Sequence, residues 1–259
     1  MELLPEIGIL GIVEGITEFI PVSSTAHLII ASTLMGLPQA EFVSFFEVFI
    51  QSGAILAVIF LYFDYIRKHQ ELIPKVLVSF IPTAIIGFIM RDIIKNVFFQ
   101  SIGIIAAALL LVGVVFIIVE IFIRNNKLVL KKDLTDLKYK DAFLIGLIQS
   151  FAVVPGVSRA GAVIVGMMLM KYKRSEAAVF SFLLAIPTII GASVLDLLKT
   201  DPSLFTPVVL RFIGTGFLLS FLSALIFVKW LTRYLQKNSL VIFGVYRIIL
   251  AILLLLAFT

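Results

Sequence analysis

Glu14 and Glu18 stand four residues apart in an otherwise apolar stretch, followed closely by Ser23, Ser24, Thr25 and His27. On a helix this spacing puts both carboxylates on one face, about 6 Å apart. If the stretch lies at membrane depth, two like charges this close need a shared cation, a shared proton or a cationic partner. Arg159 can be that partner: it is the only Arg or Lys in a second apolar stretch, 142–170, and it sits in a Pro-Gly-x-Ser-Arg turn. Two carboxylates, three hydroxyls, an imidazole and a guanidinium suit a phosphate better than a sugar or an inorganic cation. Arg grips phosphate through two parallel hydrogen bonds, and turn amides or helix N-termini stabilise anionic oxygens. The expected substrate is a lipid phosphate.

These groups must be positioned by elements that live in lipid. The 259 residues are 61% hydrophobic and 14% charged, with a mean hydropathy of +1.16, against about 45–50% apolar and about 25% charged in soluble domains. A soluble globule is excluded. The chain has no cysteine, which excludes disulfides, thiolate metal sites and cysteine nucleophiles. Its net charge of +5 comes from basic residues in short loops between apolar runs, so it reports membrane orientation and not a nucleic-acid partner. No signal peptide with a small-residue cleavage site is expected.

Hydrophobic runs predict six full spans near residues 42–63, 73–90, 99–123, 177–198, 207–231 and 240–258. Regions 1–36 and 142–170 are each broken by a polar, proline-containing turn, Pro21 to Thr25 and Pro155 to Arg159. Each half is too short to cross, which predicts two re-entrant helix–turn–helix hairpins. Irregular backbone at depth must be satisfied by protein or water, so the two turns are expected to face each other or a cavity. The expected fold is thus an all-α polytopic membrane protein with six transmembrane helices and two re-entrant hairpins.

Three crossings separate the hairpins and make the architecture an inverted repeat, with halves 1–123 and 142–259 joined by the loop 124–141. Arg67, Lys68, the six cations between Arg124 and Lys140, Lys171, Lys173, Arg174, Lys229, Arg233 and Lys237 fall on one side. Arg91, Lys95 and Lys199 fall on the other. The positive-inside rule makes the first side cytoplasmic, with both termini and the mouth of the first hairpin outside and the second hairpin entering from the opposite side. At an offset of 135, Gly11 to Ala26 aligns with Gly146 to Gly161, matching Gly11 with Gly146 and Ser23 with Ser158. Ile-Pro-Thr at 81–83 recurs at 186–188 with a different offset, so the repeat is not extended through the spans.

The segments EGITEFIPVSSTAH (Glu14 to His27) and PGVSRAG (Pro155 to Gly161) resemble the paired signatures of the undecaprenyl-pyrophosphate phosphatase family, the bacitracin-resistance type of integral membrane phosphatase. The resemblance extends to Phe46–Val58, Phe180–Ala192 and Ser239–Leu250, and so to nearly the whole chain. It implies hydrolysis of a polyprenyl pyrophosphate, divalent-metal dependence, an outward-facing site in the cell membrane and a role in returning the lipid carrier to cell-envelope glycan synthesis. The family's acid pair falls on Glu14 and Glu18, its histidine on His27, its first-turn hydroxyls on Ser23, Ser24 and Thr25, and its second-turn pair on Ser158 and Arg159. Two departures stand out: Ala160 and Val163 occupy positions where the family carries Ser and Thr.

Chemistry and resemblance together make Ser24 a candidate nucleophile, with His27 or a glutamate taking its proton and Arg159 clamping the phosphoryl oxygens. Attack by His27 or by metal-bound water stays open. Glu14 and Glu18 are candidate ligands for Mg²⁺ or Ca²⁺. Ser23, Thr25, Gly156, Ser158 and Gln51 are candidate substrate-binding residues, Gln51 paired at i, i+4 with Glu47. Glu120 and Asp196 are expected at the membrane interface and His69 in solvent; Tyr246 and Arg247 are expected to support the site from behind its lining residues, with an interhelical hydrogen bond or snorkelling as the alternative. The expected partners are a polyprenyl pyrophosphate lipid and the membrane, with a homodimer left open. The rival function is a transporter or flippase for a polyprenyl phosphate, since inverted repeats with broken helices also build transporters.

Overall fold

The computed structural model describes residues 3–37, 41–99 and 101–258, and within these the side chains of Glu41, Lys95, Asn96 and Phe258 lie outside the described set. Twelve helices follow one another among these residues: α1 (Leu4–Thr17), α2 (Ser24–Leu34), α3 (Glu41–Phe49), α4 (Gln51–Lys68), α5 (Ile73–Ile89), the single turn α6 (Arg91–Ile93), α7 (Ile102–Arg124), α8 (Tyr139–Ser150), α9 (Arg159–Leu169), α10 (Arg174–Lys199), α11 (Pro207–Lys237) and α12 (Val241–Phe258). Five stretches have the length and hydropathy to cross a bilayer: Phe42–Lys68, Gln70–Ile89, Ile102–Arg124, Arg174–Lys199 and Pro207–Lys237. The first contains α3 and α4, which meet at Ile50 with helical dihedrals. The expected sixth span corresponds to α12, a shorter apolar helix. Phe60, Phe88, Leu198 and Ile226 are among many large apolar side chains left on the surface, as lipid contact requires. The chain is a polytopic helical membrane protein.

Both proline-containing turns separate two short helices that pack on each other or on their neighbours: α1 touches α2, and α8 touches α9. The turns are built alike. Ser23 has φ +75° and Ser158 φ +72°. Each caps the helix that follows, Ser23 Oγ accepting from the Ala26 N–H at 3.5 Å and Ser158 Oγ from the Gly161 N–H at 3.1 Å. Positive φ outside glycine costs roughly 1–3 kcal/mol and persists only where the surroundings over-determine it. Here each cap holds a helix N-terminus open toward the other turn.

The helix before each turn lies against a helix distant in sequence: α1 packs along α11 and α8 along α5. Glycine permits both approaches. A Cβ at Gly11 would stand 2.6 Å from the Gly216 carbonyl oxygen, and one at Gly146 would meet the Ser79 backbone. The α5–α8 contact is reinforced by Ser79 Oγ donating to the Ala142 carbonyl at 2.6 Å and Thr83 Oγ1 to the Gly146 carbonyl at 3.1 Å.

The polar connection after α7 is more structured than a plain linker. Lys131 and Lys132 N–H donate to the Lys171 carbonyl, Lys173 N–H returns to the Lys132 carbonyl, and Asp133 with Asp136 forms a capping box. α8 starts at Tyr139, inside the expected loop. Tyr172 donates to Asp141 at 2.7 Å, and burial together with that carboxylate raises its phenol pKa. Glu120 and Asp196, expected at the interface, are buried against the protein and paired. Glu120 accepts from Arg174 Nε at 2.8 Å and from the Leu240 N–H at 2.9 Å, so one carboxylate joins α7, α10 and the start of α12. Asp196 meets Arg91 at 3.1 Å. A buried carboxylate without such partners would be strongly destabilising.

Candidate active site

The hairpin turns meet. The Gly156 N–H in the second turn donates to Ser23 Oγ in the first at 3.1 Å. Gly156 has φ +97°, and a Cβ there would lie 2.6 Å from the Ile105 carbonyl oxygen, so only glycine fits. Between the turns lies a cavity of 190 Å³, lined by Glu18, Ser23, Ser24, Thr25, Gln51, Ser158 and Arg159 together with Thr83, Gln149 and Thr188.

Glu18 caps α1, and its carboxylate is divided between the two hairpins. Ser24, the first residue of α2, donates its hydroxyl to Glu18 Oε2 at 2.5 Å. Arg159, the first residue of α9, donates Nη2 to Glu18 Oε1 at 3.0 Å and Nη1 to the Ser181 carbonyl at 3.0 Å. The Arg159 guanidinium lies over the Phe19 ring, 5.9 Å from its centroid, and its Nε has no partner among the described residues. A buried hydroxyl, a carboxylate able to take its proton and a guanidinium with a donor to spare thus line one cavity.

Glu14 lies one turn before Glu18 and is fully buried, with neither carboxylate oxygen meeting a donor. It does not line the cavity. Two such oxygens beside a second carboxylate are the hard donor set that Mg²⁺ or Ca²⁺ takes, so Glu14 and Glu18 fit the expected cation. Among the described residues no cluster of three or more acidic, histidine or cysteine side chains could hold a metal.

His27 faces elsewhere. Its Nδ1 lies 2.7 Å from the Ser23 carbonyl, and its Nε2 lies 2.6 Å from the Tyr246 hydroxyl. A carbonyl can only accept, so Nδ1 carries the proton and Nε2 accepts from the phenol. The ring does not line the cavity, and on Ser24 the proton acceptor is Glu18. Ala160 and Val163, where the family resemblance implies hydroxyls, are fully buried, Val163 within the main apolar core.

Arg247, expected to support the site without lining it, does so. It is 0% exposed, donates Nη1 to the Pro21 carbonyl at 3.1 Å and Nη2 to the Val157 carbonyl at 3.0 Å, also bonds the Gly156 carbonyl, and covers the Phe116 ring. One guanidinium therefore holds both turns, and the snorkelling alternative does not apply to a side chain this buried. Gln149 was missed, although the 135-residue offset pairs it with Glu14. So were Thr83 and Thr188, although the repeated Ile-Pro-Thr marks both. Gln149 Nε2 donates to Thr83 Oγ1 at 2.9 Å and to Thr188 Oγ1 at 3.3 Å.

A model of the family described as bacitracin resistance protein BacA matches residues 7–253. The chain belongs to this family. Its curated relatives include proteins named undecaprenyl-diphosphatase from Aquifex aeolicus, 43% identical over 94% of this chain and 94% of the relative. Those from Sulfurihydrogenibium sp. and Persephonella marina are each 44% identical, over 95% and 96% of both chains respectively. The matched region of this BacA-family chain contains both turns, Arg247 and every residue lining the cavity.

Proposed function

We propose that the protein hydrolyses undecaprenyl pyrophosphate to the monophosphate and inorganic phosphate, in the cavity between the two turns. The observation that carries this reading is the Glu18 carboxylate shared between the Ser24 hydroxyl and the Arg159 guanidinium. Ser24 Oγ attacks the terminal phosphorus while Glu18 takes its proton, and Arg159 donates to the equatorial oxygens, where charge is greatest in the transition state. Ser23, Thr25, Ser158 and Gln51 line the same space and bind the pyrophosphate oxygens, with Gly156 holding the turn that presents them. His27 orients the first turn through the Ser23 carbonyl. Glu14 and Glu18 would hold a divalent cation, which when bound offsets the negative charge of the pyrophosphate.

An apolar groove of 420 Å³ adjoins the cavity and shares Thr83, Thr188 and Ala192 with it; this groove takes the start of the isoprenoid chain. In the membrane, α12 completes six spans, the two hairpins are re-entrant, and the halves 1–123 and 142–259 form an inverted repeat. The reciprocal packing of α1 on α11 and α8 on α5 supports that repeat. The bonds between 131–133 and 171–173 gather two basic segments at one end, which supports a cytoplasmic 124–141 loop and an outward-facing site.

The test is phosphate release from undecaprenyl pyrophosphate by protein purified in detergent with Mg²⁺ or Ca²⁺. Ser24→Ala is expected to release none. Arg159→Ala is expected to lose about 10³–10⁵ in rate, the range of comparable phosphoryl clamps. His27→Ala is expected to lose much less than either. Binding of the lipid with no phosphate release by the wild type would leave a carrier and overturn the hydrolytic reading.

A further inference from the structure

Gln149 is fully buried, lines the cavity and is held from two sides. Its amide nitrogen donates to Thr83 and Thr188, whose own protons go to the carbonyls of Gly146 at 3.1 Å and Leu184 at 2.7 Å. Both threonine oxygens therefore act as acceptors, which fixes which end of the carboxamide faces them. The other end, Oε1, meets no donor among the described residues. A buried carbonyl oxygen left without a donor is destabilising, and the group it calls for is an O–H or N–H.

The position of Gln149 says which. Thr83 and Thr188 border both the polar cavity and the apolar groove, so Gln149 stands where the cavity opens toward the lipid chain. In-line displacement by Ser24 expels the lipid monophosphate from the side opposite Oγ, and with the isoprenoid chain in the groove, as proposed above, that is the side on which the groove opens. The second displacement must reverse that line, so its nucleophile enters where the leaving oxygen stood.

We infer that Gln149 Oε1 accepts a hydrogen bond from the water that hydrolyses phosphorylated Ser24, the amide being aimed by Thr83 and Thr188. This rests on the serine-nucleophile reading above. The water oxygen bonds to phosphorus, the phosphorus–Oγ bond breaks, and Glu18 returns to Oγ the proton it took in the first step. The water keeps one proton in the product phosphate and releases the other to solvent. Gln149 takes no proton; it orients the attacking water, as a carboxamide does in GTP-hydrolysing enzymes.

The experiment follows undecaprenyl pyrophosphate labelled with ³²P in its terminal phosphate through acid-quenched single turnovers. Wild type is compared with Gln149→Met, Thr188→Val and Ser24→Ala. In Gln149→Met, lipid monophosphate is expected to form within a few-fold of the wild-type rate. Inorganic phosphate release falls about tenfold or more, and label accumulates on the protein toward one per chain. Thr188→Val, which only loosens the amide, shows a smaller accumulation in the same direction, and Ser24→Ala shows none. Equal slowing of both steps in Gln149→Met and Thr188→Val, or unchanged phosphate release in both, overturns the inference, since a structural role would not divide the steps. Stereochemistry at phosphorus in the wild type separates the two readings. Retention without accumulation in the variants sinks the role of Gln149 alone, whereas inversion sinks the serine intermediate and the inference with it.

Discussion

The two hairpin turns share a backbone and divide a chemistry. At an offset of 135 residues, Ser23 and Ser158 are both caps with positive φ. Met35 and Met170 close the following helices with near-identical dihedrals, and Gly36 and Lys171 both have positive φ just beyond. Gly11 and Gly146 both allow a close helix crossing. Yet at the same offset Ser24 faces Arg159, Glu14 matches Gln149, and Glu18 matches Val153. Two identical hairpins meeting in a low-dielectric layer would set like charges against each other. Here one supplies acid and hydroxyl, the other cation and amide, so the contact that assembles the cavity is attractive.

The largest expected effect of breaking this arrangement lies in Arg247, which belongs to neither hairpin and holds both. Arg247→Met keeps much of the side-chain volume and removes every donor to the Pro21, Gly156 and Val157 carbonyls. Buried acceptors left unpaired cost about 1–3 kcal/mol each, so a loss of roughly 3 kcal/mol or more is expected in detergent unfolding, with phosphate release falling alongside. A variant as stable as wild type would mean that the direct contact between the turns suffices without the guanidinium.

The next effect separates the caps themselves. Ser158→Ala removes one cap bond, worth about 1 kcal/mol. Ser23→Ala removes a cap bond and also the acceptor of the Gly156 N–H, so its destabilisation is expected to exceed that of Ser158→Ala by about 1 kcal/mol or more. Equal shifts in unfolding midpoint for the two variants would refute the asymmetry.

The same asymmetry explains what was legible in the sequence. Helices, turns and the meeting of the turns follow from hydrophobic run length, two prolines and the cost of exposed backbone at depth. Glu18, Ser24 and Arg159 declared themselves as ionisable or hydroxyl groups in apolar stretches. Gln149 did not, because an uncharged amide in an apolar helix carries no desolvation signal strong enough to single it out. Only its partners, one threonine from each Ile-Pro-Thr copy, give it meaning. Arg247 was visible as a charge within an apolar run, but run length cannot say that a residue 220 or more positions from Pro21 reaches its carbonyl. Glu120 shows the same limit: its place near a span end pointed to the membrane interface but could not name Arg174 as its partner.

The smallest effect lies where the connection between the halves is tied to the exit of the second hairpin. Lys173 Nζ meets both oxygens of Asp133 at 2.6 and 2.8 Å, but both side chains are about half exposed. The hydrogen bond to Asp133 raises the Lys173 pKa. A raised ammonium pKa in the folded state means that any stabilisation is fully present at neutral pH and is lost only as pH climbs through that raised value. Solvent and salt screen an exposed pair, and the Lys131, Lys132 and Lys173 backbone bonds hold the connection without it. Lys173→Ala is therefore expected to leave phosphate release unchanged and to shift the neutral-pH unfolding midpoint far less than Ser158→Ala, with the residual shift vanishing at high salt. A shift at neutral pH equal to that of the buried cap would place the anchor of the second hairpin in the exposed ion pair instead of in its turn.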